Sequence, residues 1–378
     1  MQKKEYSLEI GGKTLTAEFN DWANQANGSV LVRYGNSAVL ATVVMGKKES
    51  NLDYFPLSVE YEEKFYAAGA ILGSRFMRRE GRPSDEAVLS GRIVDRTIRP
   101  LFPKGLKRDV QVILSVLALE EYDADILAVN AASLAIATSN IPWNGPVSAI
   151  RIGMEEGAQN FIVNPTYKER DEAGDPKAIL DLTACGKDGL INMIEVGSKE
   201  VTEEVLAKAL AKASEEIEKI QEWQKMIVAE QGKAKVELKV AEVTEEIKSA
   251  FKEIVEPKLL ATKGALAKDD MNSMKSDWMK SALEKLPEAN PGMLDSHYEH
   301  EMDAYVHDLA IKEGKRVDGR AMDEIRELYA QAGGVSPVIH GSGIFYRGET
   351  HVLAALTLGG PGDAQLIDSI ESRDTKKT

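Results

Sequence analysis

A fourteen-residue pattern recurs once in this chain. Gly28-Ser29-Val30-Leu31-Val32-Arg33-Tyr34-Gly35-Asn36-Ser37-Ala38-Val39-Leu40-Ala41 aligns without a gap on Gly341-Ser342-Gly343-Ile344-Phe345-Tyr346-Arg347-Gly348-Glu349-Thr350-His351-Val352-Leu353-Ala354, each residue meeting its counterpart 313 positions later. The first glycine, the serine after it, the turn glycine and the Val-Leu-Ala run coincide, so one strand-turn-strand unit is expected twice. After the first copy there is room for a whole domain. After the second only 24 residues remain before Thr378, so the second domain is expected to be cut short.

Around these copies the pattern alternates between β and α. Tyr6–Ile10 and Lys13–Phe19 flank Gly11-Gly12, a hairpin signature. Gly28 to Val44 reads as buried strands. Ser84, followed by Asp85 and Glu86 and then by Val88, Leu89, Ile93, Val94 and Ile98 at helical spacing, predicts a capped helix ending before Pro100. Val110–Leu117 reads as a strand and Ala124–Ala137 as a small-residue helix. Strands are expected again at Val147–Ile152, Asn160–Val163, Ile179–Cys185 and Asn192–Val196. Leu206, Leu210, Ala213, Ile217 and Ile220 then lay one apolar seam along a helix that breaks near Gly232. That seam suits a helix packed on its own domain better than a coiled coil, because it spans few turns. Ile247, Phe251 and Ile254, stopped by Pro257, open a separate acidic helical segment reaching to about Leu309. The fold class is α+β layers.

Composition limits what such a chain does. With 378 residues, 43% of them hydrophobic, two or three domains with real cores are expected. Met1 to Lys13 alternates without an apolar signal core, and no apolar run has membrane-spanning length, so a cytoplasmic protein without membrane contact is expected. Cys185, the only cysteine, leaves no intrachain disulfide and no cysteine-cluster metal site. A net charge of −14 argues against a surface that attracts nucleic acid everywhere. Yet from Arg75 to Arg108 ten cations face only Glu80, Asp85, Glu86 and Asp95, a local basic site in an acidic chain.

Two groups of motifs carry a resemblance. Phe65-Tyr66-Ala67-Ala68-Gly69, Gly73-Ser74-Arg75-Phe76-Met77-Arg78-Arg79-Glu80-Gly81-Arg82-Pro83-Ser84 and Arg92-Ile93-Val94-Asp95-Arg96-Thr97-Ile98-Arg99-Pro100-Leu101-Phe102-Pro103 form the first. Arg316-Val317-Asp318-Gly319-Arg320, His340-Gly341-Ser342 and Arg347-Gly348-Glu349-Thr350 form the second. Together they resemble the polynucleotide phosphorylase family over essentially the whole chain. The resemblance implies a first RNase PH-like domain of β-sheets packed with helices over 1–142, and its C-terminal subdomain with the long helix over 143–235. An all-α helical domain follows over 236–310, and a truncated second RNase PH-like domain over 311–378. It implies 3′-to-5′ phosphorolytic RNA degradation releasing nucleoside diphosphates, in a homotrimer associated with RNA-degradation machinery, with Mg2+ or Mn2+ and inorganic phosphate.

The same resemblance distributes the sites. In the family, two aromatics and two arginines line the opening where single-stranded RNA enters; here the loop reads Phe76, Met77, Arg78 and Arg79, with Arg82 beyond, and Met77 replaces one stacking ring by a thioether. A loop merely solvated, or paired with Glu80 and Asp85, is the alternative. Arg92, Arg96 and Arg99 share a helix face and suit RNA or phosphate, or else structural pairing with Asp95. In the catalytic copy of the family a serine-rich turn holds phosphate and an Asp-x-Lys holds metal. Here Asp123-Ala124-Asp125 stands where the serines belong, and Asp181-Leu182-Thr183 lacks the lysine. The first copy therefore reads as non-catalytic. No metal or catalytic residue is assigned in this chain, and the chemistry is expected beyond Thr378; KH- and OB-type tails are usual in the family, and the sequence leaves their presence here open. The alternative function is a catalytically silent RNA-binding or ring-assembly module. His297, His300 and His307 read as a solvated helical face, Gly359-Gly360-Pro361-Gly362 as a turn, and Cys185 as buried and inert.

Overall fold

A computed structural model describes residues 3–50, 54–71, 81–172, 175–237, 243–262, 266, 268–371 and 373–376. Residues 1–238 with 365–378 form one compact unit, and 239–364 form another.

In the first unit, β1 (Lys4–Ile10) and β2 (Lys13–Phe19) make the expected hairpin, and β3 (Gly28–Tyr34) and β4 (Ser37–Glu49) follow. Next come β5 (Leu57–Glu62), α1 (Asp85–Ile98), β6 (Arg108–Ala118) and α2 (Ala124–Thr138). The sheet order is β1-β2-β3-β4-β6-β5, with β5 and β6 the parallel pair at its edge. Strand β5 was not anticipated, although Leu57-Ser58-Val59-Glu60-Tyr61-Glu62 alternates as a half-buried strand does.

A second sheet is built from β7 (Ser148–Glu155), β8 (Ile162–Val163), β11 (Ala178–Lys187) and β12 (Leu190–Ser198), in the order β12-β11-β7-β8. A one-turn helix α3 (Tyr167–Arg170) and a small hairpin of β9 (Asp171–Glu172) and β10 (Asp175–Pro176) interrupt it. Helix α4 (Glu203–Gln231) starts at Thr202, whose side chain accepts from Val205 N. Its seam buries Ala213, Ile217 and Ile220 in the core of the unit, as a helix packed on its own domain should.

Between the two sheets lies α2, every residue of which is buried. That is why it is apolar all round. Its small residues let strands approach closely: a Cβ on Gly28 would collide with the Ala135 carbonyl. Its polar residues are all answered. Asn130 donates to the carbonyls of Ile126 and Ala149 and accepts from Ala149 N, each within 3.1 Å. Ser133 donates to Gln224 Oε1 and accepts from Val147 N.

In the second unit, α5 (Glu245–Ile254), α6 (Glu256–Ala261), α7 (Lys268–Lys285) and α8 (Pro291–Glu313) close around Phe251, Trp278, Leu294 and Tyr298. Pro257 opens α6 in its first turn, where a missing N–H costs nothing, instead of only stopping α5. A sheet of β13 (Leu328–Ala332), β14 (Gly341–Arg347) and β15 (Thr350–Leu356) follows. The predicted repeat is present to the residue. Tyr34 pairs with Ser37 and Val32 with Val39, as Arg347 pairs with Thr350 and Phe345 with Val352. Gly35 and Gly348 both turn the chain at φ 58°. The hairpin of β16 (Gln365–Asp368) and β17 (Arg373–Lys376) belongs to the first unit.

Asn130→Ala is expected to cost about 3 kcal/mol in urea unfolding, since it strands the Ala149 N–H and C=O in the core. Asn36→Ala, at an exposed turn, is expected to cost under about 0.5 kcal/mol. Equal losses would refute the role given to Asn130.

Candidate nucleic-acid interface

Ser84 sets the geometry at the start of α1. Its hydroxyl accepts from Ala87 N at 2.9 Å and donates to Glu63 Oε2 at 2.7 Å. Burial pushes the Glu63 carboxyl up, and the Ser84 hydrogen bond opposes it. Beside this pair a groove of about 640 Å³ runs between β5 and α1, lined by Lys64, Phe65, Arg82, Pro83, Ser84 and Arg92 among others. That volume is of the order a nucleotide needs.

Of the predicted RNA-facing residues, Arg82 and Arg92 are exposed along this groove, and Arg96 is exposed one turn further on. Arg99 is committed to the protein. Its Nε and Nη2 donate to Asp95 at 2.9 and 2.6 Å, and Nη1 and Nη2 donate to the carbonyls of Phe55 and Leu57 at 3.2 and 3.1 Å. Its guanidinium also lies over the Phe55 ring. Phe76, Met77, Arg78 and Arg79 lie outside the described residues.

A second constellation gathers at the start of α2. Asp123 precedes the helix and Asp125 lies in its first turn, where carboxylates favour the positive helix end. Asp181 comes from β11. All three converge on Arg151 of β7: Nε stands 2.8 Å from Asp123 Oδ2, Nη2 3.0 Å from Asp125 Oδ2, and Nη1 3.1 and 3.0 Å from Asp181 Oδ1 and Oδ2. The first contact is out of line with the N–H direction and acts as charge attraction only. Arg170 of α3 closes the ring, donating to Asp123 Oδ1 at 2.6 Å and to Asp181 Oδ2 at 3.2 Å. Burial pushes Asp123 up to about 6 against the pull of Arg151 and Arg170. Burial opposes the charge on Arg151, but Asp125, Asp123 and Asp181 outweigh it and raise its pKa.

This donor set fits neither phosphate nor metal. An incoming phosphate meets three carboxylates, and the oxygens a cation needs are taken by guanidinium groups. Among the described residues no group of three or more histidine, cysteine or carboxylate side chains is placed to hold a metal ion. Thr183, in the expected lysine position, is buried in β11. Arg151 and Arg170 were missed from sequence. The available signal was a lone arginine inside the apolar run Ser148-Ala149-Ile150-Arg151-Ile152, since a charge so placed requires partners.

The histidines do not assemble. His300 and His307 are exposed, but His297 is 5% exposed and stands edge-on to Phe251, which corrects the expected solvated face. The acidic residues of α8 mask its inward stripe, where Leu294, His297, Tyr298 and Met302 are buried. Gly360-Pro361-Gly362 is part of a turn, with Asp363 accepting from Gly360 N. Cys185 is fully buried, and burial pushes its thiol up to about 12.

Residues 11–142 match domain 1 of the 3′ exoribonuclease family, and residues 145–216 match its domain 2. With these two domains end to end, the chain belongs to that RNase PH family. Across its whole length it is similar to the N-terminal half of polyribonucleotide nucleotidyltransferases. It is 39% identical over 380 residues to that of Ruminiclostridium cellulolyticum, covering 99% of this chain and 53% of the relative. To that of Lysinibacillus sphaericus it is 40% identical over 384 residues, covering 100% and 53%. The chain thus spans about half the length of the curated relatives it matches.

A thiol reagent such as DTNB at pH 8 is expected to leave Cys185 untouched in the native protein and to label it at the rate of unfolding. Labelling at the rate of a free thiol would contradict its burial.

Proposed function

We propose that this chain serves phosphorolytic 3′-to-5′ degradation of RNA to nucleoside diphosphates, and that its first RNase PH-like domain contributes RNA binding and ring assembly instead of chemistry. The match along the whole chain to polyribonucleotide nucleotidyltransferases carries this reading. The groove at α1 supports its RNA-binding part, because exposed guanidinium groups along a nucleotide-sized channel suit a phosphate backbone without selecting sequence. RNA contacts are assigned to Phe76, Met77, Arg78, Arg79 and Arg82, with Arg92 and Arg96 beside them. Arg99 is assigned to packing. The reading divides the chain after residues 142, 235 and 310, and places a homotrimer in the cytoplasm, in contact with other RNA-degradation proteins. Mg2+ or Mn2+ and inorganic phosphate are required by the reaction, and their sites are assigned outside the Asp123–Arg151 cluster.

The silent-module alternative for this 378-residue chain is favoured by one observation, the filling of the first copy's centre by Arg151 and Arg170. Incubated with single-stranded RNA, phosphate and Mg2+, the chain is expected to bind RNA and release no nucleoside diphosphate. Release would overturn the division of labour. Replacing Arg82, Arg92 and Arg96 together by Ala is expected to weaken binding about tenfold and flatten its log–log salt dependence by about 2, at roughly 0.7 per lost phosphate contact. Unchanged affinity and slope would remove α1 from the interface.

A further inference from the structure

We propose that the groove between β5 and α1 seats one nucleobase of the bound RNA, and that Glu63 selects bases bearing an exocyclic amino group, adenine, guanine and cytosine, over uracil. The inference rests on the RNA-binding reading above and adds to it a selection that guanidinium groups alone do not make.

The lining decides which part of a nucleotide goes where. Arg82 and Arg92 are exposed to solvent, while Val59, Phe65, Pro83, Ala87 and Val88 give the groove apolar walls. The carboxylates of Glu60, Glu62, Glu63 and Asp95 line it together with the cations of Lys64, Arg82 and Arg92, so the lining carries a net negative charge. A phosphate drawn inside meets that charge. The start of α1 is closed to one as well, since Ser84 takes the Ala87 N–H and Asp85 and Glu86 stand in the first turn. Phosphates therefore stay with the exposed guanidinium groups. The base, flat and uncharged, is the part that suits the apolar walls, and a volume of about 640 Å³ admits it.

Of the four carboxylates, Glu63 is the one left to read a base. Asp95 accepts from Arg99 at 2.9 and 2.6 Å, Glu60 Oε1 accepts from Gln111 Nε2 at 2.8 Å, and Glu62 Oε2 stands 3.8 Å from Lys64 Nζ. Glu63 has no cationic partner among the described residues. Its one hydrogen bond there comes from Ser84, whose hydroxyl donates to Oε2, fixes the carboxyl group and leaves Oε1 open.

The chemistry of the open oxygen sets the preference. A carboxylate accepts and does not donate. Adenine, guanine and cytosine each offer an amino group to it, and guanine adds a ring N–H beside its own. Uracil offers a single N–H flanked by two carbonyl oxygens, which the carboxylate repels.

The test uses the 378-residue chain at pH 8, where Glu63 is ionised, and fluorescence anisotropy with single-stranded oligoadenylate, oligocytidylate and oligouridylate of about 12 nucleotides. A fourth oligonucleotide carries purine riboside, which is adenosine without its amino group, at every position. Oligoadenylate and oligocytidylate are expected to bind about tenfold tighter than oligouridylate, and purine riboside to lose about the same factor relative to adenosine. Glu63→Gln, whose amide donates as well as accepts, is expected to bring the four affinities within about threefold of one another. Purine riboside bound as tightly as adenosine, oligouridylate bound as tightly as the amino-bearing strands, or a preference unchanged in Glu63→Gln would each overturn the proposal. The purine riboside comparison is made on the wild-type chain, so it decides the matter even if the variant does not fold. Failure of the wild-type chain to bind any of the four would instead remove the RNA-binding reading beneath the proposal.

Discussion

The first unit is organised by one demand: a fifteen-residue helix, α2, must be dry on every side. A helix with no wet face needs a sheet on each side, and here β3 and β4 meet one flank while β7 and α4 meet the other. Close approach then dictates composition. Alanines fill α2, and Gly28 accepts the Ala135 carbonyl that any side chain would strike. It also dictates where polar atoms are allowed. Asn130 and Ser133 sit where the start of β7 has backbone groups to satisfy, so two polar residues join helix and sheet at no cost in orphaned donors.

The charged cluster follows from the same helix. The buried N-terminus of α2 projects Asp123 and Asp125 into the layer between the sheets, and carboxylates there require counter-charges from neighbouring elements. Arg151 and Arg170 supply them. With Asp181, the five side chains form a closed ring of charge. The two copies of the repeat share a hairpin, to the pairing and the turn angle.

Much of this was legible from residues alone. The repeat, the Ser84 cap, the alanine-rich helix and the α4 seam each express a local rule, and local rules survive folding. What escaped was non-local. Asp125 and Arg151 stand 26 residues apart and Asp123 and Arg170 stand 47 apart, so nothing in sequence spacing announces that they meet. The stripe of Arg92, Arg96 and Arg99 was sound as helix geometry, yet it could not reveal that the last of them has the carbonyls of Phe55 and Leu57 within reach. His297 was misjudged because the acidic residues around it outnumber the apolar ones that decide its burial.

Arg99 also guards an edge of the first sheet. Strand β5 is the last of its sheet, and an unguarded last strand invites another chain to continue the ladder without limit. By taking the carbonyls at Phe55 and Leu57, Arg99 occupies the acceptors such a strand would need, and α1 lies along the rest, with Gly91 allowing it close to Val59 and Tyr61. An arginine whose sequence setting left RNA contact and pairing with Asp95 both open thus also terminates a sheet. It closes this edge of the sheet to a further strand.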